Sequence, residues 1–172
     1  MMEQNGAERS SIQNSSVFVQ DHYADDFAWC YGCGRLNEHG LHIKTRWNGD
    51  ETLTEYTPLS EHIAIPGFTY GGLMASLVDC HGTGSAALAL LRQAGRELGD
   101  GCPVPRTVTA SLHVDFRKPT PLGPLITVQG RIVEVTDRKV TVHSDVVVAG
   151  QVCAQGVVVA VLAPQSMVNR SK

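Results

Sequence analysis

Asp79 sits in a run of small and apolar residues spanning 73–92, where a carboxylate is costly unless it is paired or opens onto a cleft. On a helical wheel at about 100° per residue, Gly72, Ser76, Asp79 and Thr83 share one stripe roughly 60° wide. The acid thus has a hydroxyl about one turn to either side. Gly71 and Gly72 open the same run and offer backbone N–H groups unobstructed by side chains, which suit an anion or a developing oxyanion. A carboxylate that acts as base or nucleophile, beside an oxyanion site, is the chemistry this spacing supports. The plainer alternative is an Asp that caps a backbone group or pairs with a nearby Arg.

Other constellations carry less. Cys30-x2-Cys33 followed by His39-x2-His42 holds four potential zinc ligands, but the gap is far shorter than the roughly 12 residues of a zinc finger. The alternation around His42 explains it as a solvent-facing strand residue, so the segment reads as a structural turn with no metal. No βαβ pattern follows the cysteines to support a redox pair. Gly82-Thr-Gly84-Ser echoes a dinucleotide fingerprint, yet it lies inside the helical pattern and follows no strand. Its glycines mark places where another element comes close. There is no G-x-S-x-G elbow. Cys80 and His81 point about 100° apart on a helix, poor geometry for a catalytic pair. Cys80 reads as packing, and His81 lies off the polar stripe.

The elements that must position Asp79 follow from periodicity. Residues 66–95 give one long helix after a Pro-Gly turn, with Leu73, Leu77, Cys80, Gly84, Ala87, Leu88 and Leu91 on a single side. Apolar residues nearly all round predict that it is buried, Asp79 included. Ahead of it, residues 41–47 alternate, Asn48-Gly49 signals a hairpin, and 51–56 form the return strand. Residues 59–65 link this hairpin to the helix. Behind it come strand patterns at 108–116, 125–135, 140–148 and 152–162, with Val108, Ala110, Leu112, Val114 and Phe116 expected on one face. Short turns make the neighbours antiparallel, so the class is α+β, with six strands curved around one helix. Residues 17–28 carry a short helical pattern through Val19, Tyr23 and Phe27. Residues 1–16 read as a polar tail, 17–165 as one domain, and 166–172 as a C-terminal tail.

Composition excludes some partners. A formal charge of -3 argues against nucleic acid. No apolar run reaches the roughly 18 residues of a membrane span, and the first residues lack a signal-peptide core. Five cysteines without such a signal indicate reduced thiols and a cytoplasmic setting.

The run Trp29-Cys-Tyr-Gly-Cys-Gly-Arg-Leu-Asn37-Glu-His-Gly40-Leu41, with Gly71-Gly72 and Asp79 further on, resembles the PaaI-type acyl-CoA thioesterases of the hot-dog superfamily. The strand Ser111-Leu-His-Val-Asp-Phe-Arg-Lys-Pro119, with Pro121 and Gly123, matches the strand that follows the helix in that family. The resemblance covers about residues 27–163. It implies a hot-dog fold, subunits paired edge to edge as a homodimer or tetramer, and sites shared across the dimer interface. It further implies that Gly71 and Gly72 polarise a thioester carbonyl while Asp79 of the other subunit activates water or attacks directly. Tyr70, Ser76, Thr83, Asn37, Arg117 and Lys118 would contact substrate, and Arg138 and Lys139 are further cations within reach of CoA phosphates. No cofactor is implied beyond the CoA of the substrate. One departure is specific: the family usually carries His directly before the glycine pair, and here that residue is Tyr70. It motivates a second reading, an acyl-CoA or small-ligand binding protein without catalysis. A dehydratase reading, prompted by His62 before Pro66-Gly67, ranks low because Asp79 lies 13 positions past Pro66.

Overall fold

The computed structural model describes residues 17–168. Its strands are β1 (Arg46–Asn48), β2 (Glu51–Tyr56), β3 (Ile63–Ile65), β4 (Phe68–Thr69), β5 (Thr107–Phe116), β6 (Ile126–Val135), β7 (Lys139–Val148) and β8 (Gln151–Leu162). Helix α1 (Gly71–Gln93) comes between β4 and β5, and the short helix α2 (Gln165–Val168) ends the described chain. Six strands form one antiparallel sheet in the order β1-β2-β6-β7-β8-β5, while β3 and β4 make a small separate hairpin. Helix α1 packs on β5, β6, β7 and β8. This is the one-helix, six-strand hot-dog architecture expected from the sequence. The expected N-terminal tail lies outside the described residues.

The core is the contact between α1 and the sheet. Leu73, Leu77 and Leu88 from the helix meet Val128, Val142, Val146 and Val158 from the strands, all essentially buried. Each large apolar side chain buried this way contributes about 1.5–3 kcal/mol. Glycines set how closely the layers approach. A Cβ on Gly82 would lie 2.5 Å from Val158, and one on Gly156 would lie 2.2 Å from Val78 Cγ1, so each layer lends the other a notch. Gly84 is pressed the same way against Gln20 and Thr45. The reading of Gly82 and Gly84 as close-approach points holds.

Three local expectations change. The first strand is shorter than 41–47, because Leu41 and Ile43 give their N–H groups to the carbonyls of Tyr31 and Gly32, at 2.8 and 2.9 Å. His42 takes a φ of 53°, which breaks the strand path although the residue is exposed as expected. The helical pattern at 17–28 resolves into two 3-10 turns, Val19–His22 and Asp25–Phe27, with Val19 and Tyr23 buried. The linker 59–65 is structured: Ser60–His62 forms a 3-10 turn that leads into β3. The turn at Ala149-Gly150 closes as read, with φ of 48° and 75° at its two residues.

Candidate active site

Helix α1 begins at Gly71 after Tyr70, whose side chain makes no capping bond. The first N–H groups of a helix have no acceptor within it, so those of Gly71 and Gly72 point out of its end. The two glycines face different surroundings. Gly71 lines a cleft of about 330 Å³ with Thr69, Met74, Phe116, Arg117 and Lys118, and a Cβ there would touch the Phe116 ring at 3.2 Å. Gly72 lies against the ring of Tyr70, 2.5 Å from where its Cβ would be. Both glycines are exposed, and Gly71 is the one of the pair that lines this cleft.

Asp79 was expected in the interior and is instead half-buried. Its stripe of the helix faces β5, which is an edge strand of the sheet. Thr109 Oγ1 on β5 donates a hydrogen bond to Asp79 Oδ1. Among the described residues no cation lies within salt-bridge reach of this carboxylate. Its stripe-mates serve the helix itself: Ser76 Oγ donates to the Gly72 carbonyl at 2.9 Å, and Thr83 Oγ1 to the Asp79 carbonyl at 3.2 Å. One turn further on, Thr107 Oγ1 donates to the Thr83 carbonyl at 2.8 Å.

Sequence reasoning missed Thr109, and a β-bulge is the cause. The β5–β8 register slips between Thr109 and Ser111. Leu112, Val114 and Phe116 pair with Val158, Gly156 and Ala154 on the helix-facing side, as their alternation predicts. Ahead of the slip the phase reverses, and Thr107 and Thr109 reach α1 where Val108 and Ala110 were expected. The detectable signal was Thr107-x-Thr109, out of phase with the strand that follows. Bulges recur beside active sites for this reason: they re-aim a side chain.

The remaining candidates separate. Arg117 and Lys118 join Gly71 at its cleft and also bond Gln155 and Gln151, at 3.0 and 3.3 Å. Arg138 and Lys139 lie at the β6–β7 turn, where Lys139 pairs with Glu134 at 2.9 Å. Asn37 is spent on its own loop, donating to the Trp29 carbonyl and accepting from His39 N–H. Tyr70 borders another cleft, of about 480 Å³, with Tyr31, His39, Tyr56 and His62. The His62 ring is 5.9 Å from that of Tyr56 and 6.4 Å from that of Tyr70, and its Nδ1 accepts the Leu59 N–H at 2.9 Å. His81, given little weight from the sequence, is fully buried, with Nδ1 2.9 Å from Thr54 Oγ1 and Nε2 3.2 Å from Thr52 Oγ1. Burial pushes its pKa down to about 3, so the ring is neutral.

One distance organises the site. Gly71 and Asp79 are eight residues apart on one helix, about 12 Å along its axis. An oxyanion donor and a base acting on one carbonyl must both come within about 3 Å of the reacting atoms. The glycine and the acid of a single helix do not meet that requirement together.

Comparison with known proteins agrees with the fold. The family model described as Thioesterase superfamily matches residues 66–155, from the Pro-Gly turn into β8. A thioesterase superfamily protein from Shewanella loihica, known from its crystal structure, is 42% identical. It matches 74% of this chain and 96% of its own, with a TM-score of 0.60. A structure of the phenylacetic acid degradation protein PaaI from Thermus thermophilus shares the fold at 20% identity and a TM-score of 0.54, over 72% of this chain and 95% of that one. Among curated proteins, acyl-coenzyme A thioesterase THEM4 of Xenopus laevis is 32% identical over 75 residues, 44% of this chain and 28% of that protein. The match therefore spans less than a third of that relative. Among the described residues no helix is long and apolar enough to cross a membrane. By its family model and its architecture, this chain belongs to the thioesterase superfamily.

Proposed function

We propose that the protein hydrolyses an acyl-CoA thioester to a free acid and CoA, in sites completed by a second copy of the chain. The observation that carries this is the Asp79 carboxylate: half-buried, without a cation, held at one oxygen by Thr109, and set beside an edge strand. The 12 Å between Gly71 and Asp79 is the reason for the second copy. Pairing β5 with β5 of another chain continues the sheet, and Leu112 and Phe116 on that strand are 41% and 58% exposed in the lone chain. Gly71 of one chain then serves the same carbonyl as Asp79 of the other.

In this scheme the carbonyl oxygen takes the Gly71 N–H. Asp79 Oδ2, left open by the bond at Oδ1, accepts a proton from water as its oxygen adds to the carbonyl carbon. The C–S bond breaks, CoA leaves as a thiolate, and the proton on Asp79 returns to solvent. A positioned base contributes about 10²–10⁴-fold and an oxyanion donor about 10²–10³-fold. Direct attack by Asp79 would give a mixed anhydride, and its hydrolysis in ¹⁸O water by attack at the aspartyl carbonyl would leave label in the Asp79 carboxylate. Arg117 and Lys118 at the rim of the Gly71 cleft fit CoA phosphates. A cytoplasmic setting is part of this reading, supported by the five free cysteines. The test is thiol release from a panel of acyl-CoAs. Wild type should turn over and Asp79→Asn should lose at least 10²-fold; equal turnover in the two removes Asp79 from the reaction.

Tyr70 favours a second reading, because its ring lies on Gly72 where the family usually places an imidazole. A ligand-binding protein would show saturable binding of an acyl-CoA, with no thiol released from the bound ester. Tyr70→His would then be expected to bring hydrolysis in.

A further inference from the structure

Three cysteines far apart in sequence meet on the inner side of α1. The Sγ atoms of Cys30, Cys33 and Cys80 all lie within 4.8 Å of one another. Cys33 and Cys80 are buried, and Cys30 is half-buried with one side toward solvent. The histidines grouped with Cys30 and Cys33 by spacing, His39 and His42, are exposed and take no part. Cys80, which read as packing, supplies the third sulfur from the helix residue next to Asp79.

We propose that Cys30, Cys33 and Cys80 bind one zinc-class thiophilic cation through three thiolates, with the fourth position open to solvent beside Cys30. Two such ligands on a tetrahedral Zn²⁺ with Zn–S near 2.3 Å have sulfurs about 3.8 Å apart, so the cluster needs to close by no more than about 1 Å. The loop is held in place by its backbone: Gly34 N–H bonds the Cys30 carbonyl at 2.7 Å, and Leu41 and Ile43 N–H bond the Tyr31 and Gly32 carbonyls at 2.8 and 2.9 Å. Gly32 has no room for a side chain, since a Cβ there would lie 2.3 Å from Cys80 Sγ. Three thiolates and a divalent cation sum to one negative charge. Binding replaces the remaining thiol protons, which leave to solvent. The cation would clamp the 30–33 loop to α1 at the turn that carries Asp79, a positioning role separate from thioester chemistry and independent of the proposed function.

The test is Co²⁺ titration of the reduced full-length protein, read by thiolate-to-cobalt charge-transfer absorption, with Zn²⁺ displacement and thermal melts. The expected result is one equivalent bound and displaced by Zn²⁺. Affinity should fall at least tenfold in Cys30→Ser, Cys33→Ser and Cys80→Ser, and stay unchanged in Cys102→Ser, whose thiol is exposed and outside the cluster. Zn²⁺ should also raise the melting temperature of wild type but not of the three variants. Should a variant fail to fold, alkylation of wild type decides: Zn²⁺ must slow labelling of Cys30, Cys33 and Cys80 relative to Cys102. Three results would overturn the site: no absorption band at saturating Co²⁺, a band retained in Cys80→Ser, or equal labelling rates with and without Zn²⁺. A Cys30–Cys33 disulfide in protein isolated under thiol-blocking conditions would overturn it in favour of a redox pair.

Discussion

Replacing Thr109 by Val keeps the β-branched shape that β5 needs and deletes only the hydroxyl donated to Asp79 Oδ1. A hydrogen bond to a charged group contributes about 1.5–3 kcal/mol. If the bond fixes the carboxylate in its reacting orientation, that loss falls on the chemical step and lowers kcat about 10- to 150-fold. KM should change little, because Thr109 does not line the cleft shared by Gly71, Arg117 and Lys118. Thr109→Ser restores a donor in the same place and should return kcat to within about threefold of wild type, given the flexibility of a serine. The assay is thiol release under saturating and sub-saturating acyl-CoA, with each variant checked for an unchanged melting temperature. In an Asp79→Asn background the Thr109→Val effect should largely vanish, since the two act as a unit. Equal kcat in Thr109→Val and wild type, or a Thr109→Ser variant as impaired as Thr109→Val, refutes a positioning role for this hydroxyl.

Other perturbations probe the assembly, the cleft and the packing. Leu112→Lys puts a charge on the exposed edge strand β5, and light scattering should report a shift from dimer to monomer together with loss of hydrolysis; a dimeric, active Leu112→Lys would place the contact elsewhere. Arg117→Ala with Lys118→Ala should raise KM for CoA esters several-fold at low salt, and the difference should shrink at high salt as screening takes over. Gly156→Ala drives a Cβ to 2.2 Å from Val78 Cγ1 and should cost about 1–3 kcal/mol in denaturant unfolding. Adding Val78→Ala should recover part of that cost, and a double variant less stable than the sum of the singles would argue against overpacking.

Long-period patterns were legible in the sequence, and local departures from period were not. The helix pattern and the alternation of residues 112–116 gave α1 and the far half of β5, because both elements bury one continuous face against the same core. Burial of Leu41 and Ile43 was legible too, but not that their N–H groups pair with the Tyr31–Gly32 turn rather than with a strand. Alternation reports which side is apolar and says nothing about where the backbone donors go. Asp79 stood out as a carboxylate among apolar neighbours, while its degree of burial depended on lying toward an edge strand, a matter of sheet order. Thr109 was hidden by a one-residue bulge. The third thiol of the sulfur cluster was hidden because Cys80 fits the apolar stripe as well as Leu would.

The rotation of α1 about its own axis decides whether Asp79 faces β5, and two sets of polar contacts hold the helix at its flanks. On one flank Thr107 and Thr109 bond to α1. On another, His81 bridges Thr52 and Thr54 of β2, and Thr52 lies 2.6 Å from Ser85 one turn along the helix. The neutral ring is matched by hydroxyls on both nitrogens, which suit either tautomer because each can donate or accept. His81→Leu keeps the volume close and removes both bonds. Thr54 retains Thr45 and Thr52 retains Ser85, so no hydroxyl is orphaned, and the cost should stay near 1–3 kcal/mol by denaturant midpoint. If the bridge sets the rotation, kcat falls alongside stability, whereas Gly156→Ala at a similar cost leaves kcat near wild type. A His81→Leu variant with full kcat would assign the orientation of Asp79 to apolar packing and the β5 threonines alone.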